Sequence, residues 1–288
     1  MDISSLAFRT DLALARLAGS EVEDRGDHVV VRTPDNPDYY WGNFLLLPRA
    51  PSSVEIPGWE ARFAATFPRC RHRAYGVASP DGTRADLAGF ADAGLEVDAS
   101  TVMTATAVGE PPRPNREATY RPLHTDDDWE QQVGLWSSSE EDGVTPEFVR
   151  AKVAAERRMT EVGAGAWWGA FEGDRLLSSM GLFAASPGLA RFQQVQTHPD
   201  ARGRGLAGTL VHRVGRYGLE ALGARTLVMV ADPEYLAIRI YRSVGFEATE
   251  TQLQAQRRPG SLVAGPGPPG APPPALGHPP PPPRGRGR

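Results

Sequence analysis

Between Gln193 and Leu210 the chain passes from a strand-forming segment through Arg202-Gly203-Arg204-Gly205-Leu206-Ala207-Gly208 into an amphipathic helix. No other passage restricts the fold as much. Glycines at 203, 205 and 208 let backbone N–H groups converge on a ligand with no side chain in the way. The helix that follows aims its positive end at the same place. Arg202 and Arg204 add charge nearby. Physically this is an anion cradle, suited to a phosphate or pyrophosphate. It is not a Walker A loop, because no Gly-Lys-Ser/Thr follows the glycines. It is also a poor dinucleotide fingerprint, which needs a parallel βαβ unit and an acidic residue about 20 residues after its last glycine. Arg225–Ala231 offers none before Asp232.

The surrounding chain alternates strands and helices. Ala118–Pro122 reads as a strand, and Asp126–Ser138 as a helix opened by three aspartates, which suit a helix N-terminus. Pro146–Val162 is a second helix with proline in its first turn. Ala166–Glu172 and Leu176–Ala184 form a hairpin turning at Gly173-Asp174. Ala190–Thr197 is a strand. Leu206–Leu222 is a helix, with apolar residues at 206, 210, 211, 214, 217, 219 and 222 and Gly223 as its C-cap. Thr226–Ala231 reads as a buried strand, Pro233–Val244 as a helix capped by Gly245, and Phe246–Gln254 as a last strand. The pattern predicts an α/β domain with a mixed sheet over residues 116–256.

Two composition shifts divide the chain. Glu110-Pro-Pro-Arg-Pro-Asn115 disfavours helix and central strand alike, and predicts an interdomain linker after a first domain at 1–110. From about Arg257 the sequence is rich in proline and glycine and ends Arg284-Gly-Arg-Gly-Arg288. Such a segment buries too little apolar surface to offset its ordering entropy, so residues 257–288 are expected to be a disordered tail with polyproline II character. A solvated tail is the plainer reading; a ligand for a proline-reading domain or a weak RNA contact are the alternatives.

Two motifs carry a resemblance to a known family. Arg202-x-x-Gly205-x-Ala207, after a strand ending Thr197-His198-Pro199, resembles the pyrophosphate loop of the GNAT superfamily, the acyl-CoA-dependent N-acyltransferases. That family writes the loop Gln/Arg-x-x-Gly-x-Gly/Ala. Downstream, Ala237-Ile-Arg-Ile-Tyr241-Arg-Ser-Val-Gly245-Phe246 is similar to the family's helix ending Ala-Ile-x-Leu-Tyr-x-x-x-Gly-Phe. The resemblance implies acetyl-CoA as cosubstrate and no metal. By it, the backbone of Arg202, Gly203, Arg204, Gly205, Leu206, Ala207, Gly208 and Thr209 holds the pyrophosphate. Val195, Gln196 and Thr197 splay away from strand Thr226–Ala231 and pair with the pantetheine arm. A backbone N–H on that strand polarises the acyl carbonyl. Tyr241 protonates the leaving thiolate, as a general acid. The acceptor, an amine of a small molecule or a protein, attacks directly, with no covalent enzyme intermediate.

This chain departs from the family at two places. Glu234 stands where the family often has Asn. Gln193, Gln194 and Gln196 occupy the strand that commonly bears an acidic base, and an amide cannot accept the amine's proton. Glu140, Glu141 and Asp142 could serve through water, although a solvated acidic turn is the plainer reading. Tyr241 has a structural alternative as a helix-end aromatic under the sheet. Trp136, Trp167 and Trp168 could line an acceptor pocket, but large aromatics more often build core. A non-catalytic acyl-CoA sensor stays open beside the enzyme.

The first half repeats the plan in worn form. Ile3–Leu17 is an amphipathic helix. Strands are expected at Tyr39–Leu47, Ala74–Ala78 and Leu95–Ala105, and helices at Pro57–Phe67 and Arg84–Ala93. Ala91-Asp-Ala-Gly-Leu-Glu-Val97 parallels Arg242-Ser-Val-Gly-Phe-Glu-Ala248. Arg49–Pro57 has no glycine where the cradle would stand, and Phe90 replaces the tyrosine. The expectation is a tandem GNAT-like fold whose N-terminal copy has lost CoA binding.

The formal net charge of -4 over 288 residues gives no overall field for capturing nucleic acid or an anionic membrane. Cys70, the single cysteine, makes neither an internal disulfide nor a Cys-based zinc site. Without a leader pattern or an apolar run long enough for a membrane span, a soluble cytoplasmic protein is expected. Oligomeric state is not legible.

Overall fold

The computed structural model describes residues 1–138, 145–234 and 237–258. The chain opens with helix α1 (Leu6–Leu17), which Ser5 caps by accepting the Phe8 N–H. It continues through strands β1 (Glu21–Asp24), β2 (Val29–Arg32) and β3 (Phe44–Leu47), helix α2 (Ile56–Thr66), strand β4 (Arg73–Val77), helix α3 (Ala88–Asp92) and strand β5 (Glu96–Ala105). The second half comprises β6 (Thr119–Pro122), α4 (Asp126–Ser137), α5 (Pro146–Glu161), β7 (Gly165–Glu172), β8 (Arg175–Ser186), β9 (Leu189–Thr197), α6 (Leu206–Glu220), β10 (Thr226–Ala231), α7 (Ala237–Val244) and β11 (Glu247–Arg257).

Most strands and helices fall where the sequence places them, with local exceptions that have local causes. The hairpin β1–β2 was not foreseen. The strand expected from Tyr39 begins only at Phe44, after a 3₁₀ turn at Tyr40–Gly42. Asn43 enforces that turn. Its side chain accepts the Thr33 N–H at 3.0 Å and donates to the carbonyls of Asn36 and Tyr39 at 2.9 Å each. The helix expected from Pro233 does not include Pro233 and Glu234, because Asp232 accepts the Glu234 N–H at 2.8 Å and holds an Asx turn there. The last strand runs on to Arg257, whose guanidinium pairs with Glu60 at 2.6 Å. The tail expected from residue 257 therefore begins no earlier than Arg258, and residues 259–288 lie outside the described residues.

Among the described residues all strands join one mixed sheet in the order β1-β2-β3-β4-β11-β5-β10-β9-β8-β7-β6. The two halves exchange their last strands. β5 pairs antiparallel with β10, from Leu227↔Ala105 to Ala231↔Thr101, while β11 pairs antiparallel with β4. The cores follow the exchange. Met103 and Ala105 from the first half sit among Leu210, Val214, Leu227 and Tyr241 of the second. Leu253 and Ala255 from the second half sit among Leu46, Tyr75 and Phe90 of the first. Helices α6 and α7 cover one face of the second half, and α4 and α5 cover the other. At the junction, the Arg191 guanidinium pairs with Asp11 of α1 at 3.0 Å and donates to Thr10.

The exchange makes each half dependent on the other. A fragment 116–258 exposes the β10 edge that β5 covers and leaves the site of Met103, fully buried in the whole chain, empty. That fragment is expected to lack a cooperative thermal transition and near-ultraviolet circular dichroism. A sharp two-state transition from the fragment alone would contradict the dependence.

Candidate functional site

The site begins where two parallel strands part. β9 and β10 pair only at Thr226↔Leu189, Leu227↔Ala190 and Val228↔Arg191. Beyond that point β10 stays with β5 and β9 stays with β8, so the notch between them opens. A bulge in β9 sharpens the parting. Gln193 faces Gly181 and Gln196 faces Ser179, leaving Gln194 and Val195 opposite one residue. Gln194 sits at φ 31°, the only non-glycine residue with positive φ among the described residues. The backbone edge of β9 that faces the notch has no strand partner past Arg191.

The cradle lies at the mouth of this notch. Gly203 and Gly205 adopt left-handed φ of 76° and 77°. Gly205 is also the N-cap of α6, and no side chain caps that helix. Its first-turn amides therefore point outward unclaimed, at the positive end of the helix dipole. A Cβ on Gly205 would collide with the Arg113 carbonyl oxygen, so this glycine serves packing as well as conformation. A Cβ on Gly203 would meet nothing within 4 Å. Gly208 admits close neighbours, since its missing Cβ would stand 3.3 Å from Pro111 and 3.4 Å from Ile240 of α7.

Notch and cradle form one cleft of about 780 Å³, lined by Val195, Gln196, Thr197, the loop Arg202–Gly208 and the α7 residues Ala237, Arg239, Ile240 and Tyr241. The cleft thus brings together the residues that the resemblance assigns to the donor and to the general acid, except Thr209, which lies behind it and donates its hydroxyl to the Gly205 carbonyl at 2.9 Å. Tyr241 is 2% exposed and belongs to the core cluster while also lining the cleft, so its catalytic and packing readings are compatible. The Gln196 side-chain oxygen is buried with no hydrogen-bond partner among the described residues.

The arginines divide differently from the sequence reading. Arg204 pairs with Glu172 on β7 and lies 3.8 Å from Glu117, so its charge is spent within the protein. Arg113, Arg202 and Arg239 all line the cleft, and none forms an ion pair among the described residues. Arg113 and Arg239 were missed in sequence. Arg113 sits in the segment read as a linker, and Arg239 is one exposed helix residue among several. Leu135 and Ser138 at the end of α4 close the other side of the cleft. Glu140, Glu141 and Asp142 lie outside the described residues. Trp167 is buried in the core under α4 and α5, and Trp168 packs on Tyr217 of α6 at 5.4 Å.

The corresponding region of the first half is closed. β3 and β4 stay paired to their ends, with Leu47↔Val77 followed by an Ala78 N–H to Leu47 carbonyl bond of 2.8 Å. Glu55, at the N-cap of α2, accepts the Ser52 N–H at 2.9 Å and the Ser52 hydroxyl at 2.8 Å. The Arg49 guanidinium beside it holds its carboxyl down at about 2. The Glu55 carboxylate is thus tied to Arg49 and Ser52 in the loop before α2 and does not cap the helix. The loop backbone is seated against Gly89, whose Cβ would meet the Pro51 carbonyl at 2.6 Å. Phe90 stacks on Tyr75 at 5.0 Å in a closed core. Cys70 is half-buried and donates to the Pro37 carbonyl at 3.3 Å, and burial pushes its thiol up, so it is no reactive thiolate.

Comparison with known proteins agrees with this architecture. Residues 168–255 match the family model described as FR47-like protein. No curated protein matches the chain significantly in sequence. Among solved structures, a GCN5-related N-acetyltransferase from Kribbella flavida superposes with TM-score 0.62 at 16% identity, over 90% of this chain and 98% of that one. A conserved protein of unknown function from Staphylococcus epidermidis ATCC 12228 gives 0.63 at 9% identity, over 82% and 92%. A tandem GNAT protein from the clavulanic acid biosynthesis pathway gives 0.54 at 15% identity, over 86% and 88%. The fold is that of the GCN5-related N-acetyltransferases in tandem form, as the two sequence motifs imply. Among the described residues no cluster of His, Cys, Asp or Glu could hold a metal ion, and no helix is long and apolar enough to cross a membrane.

Sequence reading also missed Glu156 on α5. It is fully buried and accepts from Gln132 at 3.2 Å and Trp136 at 3.1 Å. Burial pushes its carboxyl up to about 7. A carboxyl raised on folding binds more protons in the native state than in the unfolded chain between pH 4.5 and about 7. Stability must therefore fall as pH rises through that window. Glu156→Gln keeps one acceptor oxygen for the Trp136 N–H, offers its NH2 to the Gln132 side-chain oxygen once that amide flips, and removes the titration. Because the variant also takes a charge partner from the buried Lys152, the expected outcome is a difference: the variant's melting temperature relative to the wild type's rises by several degrees from pH 5 to pH 8. An equal shift at both pH values would contradict this account.

Proposed function

We propose that the protein is an acyl-CoA-dependent N-acyltransferase, with acetyl-CoA as donor and an amine of a small molecule or protein as acceptor. The observation that carries this reading is the conjunction of an uncapped helix N-terminus, two left-handed glycines and a strand edge without a partner, all on one cleft. A pyrophosphate fits the amides of Gly203–Gly208, and an amide-bearing arm fits the free edge of Val195–Thr197. The donor would supply an acyl carbon already activated as a thioester.

The protein's own contribution is binding, orientation and proton handling. The β9 edge presents backbone N–H groups for a carbonyl oxygen that gains charge. Tyr241, buried at the end of the notch, offers a hydroxyl proton to the departing thiolate. Leu135, Ile240 and the proline segment wall the cleft with apolar surface and strengthen those interactions by excluding water. The first half, with β3 and β4 paired to their ends and no glycine in the loop before α2, takes no donor. We further propose that the chain divides as 1–110 and 116–256, in a soluble and cytoplasmic protein.

A second reading, a non-catalytic acyl-CoA sensor, is favoured by one feature: β9 bears Gln193, Gln194 and Gln196 and no carboxylate. The two readings differ in turnover and not in affinity.

Calorimetric titration of acetyl-CoA tests the donor site. Binding near micromolar, about -8 kcal/mol, is expected for the wild type. Gly203→Asp places a carboxylate in the cradle, at a position where Asp tolerates positive φ and its Cβ meets nothing. That variant is expected to lose binding while keeping its melting temperature. Tyr241→Phe is expected to keep binding and to lower kcat by roughly 10²–10⁴-fold. No binding by folded wild-type protein would remove the proposal, and binding without turnover across an amine panel would leave the sensor.

A further inference from the structure

The segment between the halves is a fixed strap across the cradle. Asn115 anchors it. Its N–H donates to the Thr209 hydroxyl at 2.8 Å, and its side-chain amide donates to the Arg204 carbonyl at 3.1 Å. Its side-chain oxygen accepts the N–H groups of Glu117 at 3.2 Å and Ala118 at 2.9 Å. The Tyr120 hydroxyl donates to its carbonyl at 3.1 Å. At the other end Pro111 rests on Gly208, and the Arg113 carbonyl occupies the space that a side chain at 205 would need. Glu110 and Arg116 close the arch with an ion pair of 2.9 Å. Prolines at 111, 112 and 114 stiffen what lies between.

The strap brings Arg113 to the cleft wall. Its neighbours in the strap and loop have their charges spent, Arg116 on Glu110 and Arg204 on Glu172. Arg113 does not, and neither does Arg239, which stands on α7 next to Ile240. Pro111 of the strap and Ile240 of α7 meet the same glycine of α6, so the segments that carry the two arginines pack on one helix turn and both arginines line the one cleft. The amides of that turn, with Arg202 at the head of the loop, already complement a pyrophosphate. Two further unspent cations match a further anionic group, and a phosphate monoester suits a pair of guanidinium forks.

We propose that Arg113, carried by the strap, is a specificity residue that receives the 3′-phosphate on the ribose of the donor. Arg239 is its partner across the helix turn. The proposal rests on the acyl-CoA reading of the cleft. It gives the segment joining the halves a part in donor recognition, and makes the donor a full coenzyme A ester in preference to a 3′-dephospho analogue.

The test is a thermodynamic cycle on the full chain: coenzyme A and 3′-dephospho-coenzyme A, each titrated into wild type, Arg113→Ala and Arg239→Ala. The wild type is expected to prefer coenzyme A by roughly tenfold, the scale of a partly exposed charge-assisted contact. Arg113→Ala is expected to weaken coenzyme A by about that factor, leave the dephospho analogue unchanged and so erase the preference. The Arg113 side chain makes no hydrogen bond to another described residue, so the melting temperature is expected to hold. Equal weakening of both ligands would place Arg113 on the pyrophosphate and overturn the proposal, as would a preference that survives in Arg113→Ala. If neither ligand binds the folded wild type, the acyl-CoA reading falls and this proposal falls with it.

Discussion

The site depends on one constraint: β9 and β10 hold each other for three residue pairs and then part. Two adjacent strands in the middle of a sheet do not separate without support, because each loses backbone hydrogen bonds it would otherwise make. Here each is held from its far side. β8 grips β9 through a bulge that forces Gln194 to positive φ, and β5 grips β10 along its length. That second support comes from the other half of the chain. The exchange of β5 and β11 is therefore part of how the notch is kept open, as well as a means of joining the two cores.

The contrast between the halves shows how small the difference between an open and a closed copy is. In the first half β3 and β4 pair to their ends, and the loop before α2 carries its own carboxylate, Glu55, against a backbone N–H and Arg49. In the second half the equivalent helix has a glycine N-cap in left-handed conformation and no side chain over its amides. Receiving an external anion needs glycines at the loop, a parted strand pair and unspent arginines beside it. The second half has all of these at one cleft; in the first, the loop Arg49–Pro57 has no glycine and β3 and β4 stay paired. What remains common to both is the scaffold of sheet, helix and glycine turn, seen in Gly94 and Gly245 at corresponding corners.

Much of this was legible because it rests on local chemistry. The glycine spacing, the helix after it and the Tyr241 motif follow from rules that act within a few residues. So do the Asp-rich start of α4, where Thr125 and Asp128 form a capping box, and the hairpin turn at Gly173. What escaped depends on contacts distant in sequence. The strand exchange cannot be read from a pattern, since β5 would look the same paired with β11 alone or with β10 as well. The Pro-rich segment 110–115 has a linker's composition, yet Asn115 ties it to Thr209 and Arg204. Arg204 looked like a free cation until Glu172, 32 residues away, came beside it. Glu156 looked like an ordinary polar helix residue, and only packing buries it between Gln132 and Trp136.

Amide hydrogen exchange, read by mass spectrometry with and without coenzyme A, tests the central claim most directly, because it reports which backbone amides a ligand takes. The account predicts slowed exchange confined to two stretches, the β9 edge around Val195–Thr197 and the turn Gly203–Gly208, with smaller protection in the strap at 110–115. The loop 48–55 and β3 of the first half should show no change. Protection centred on residues 44–58, or none in the second half, would contradict it.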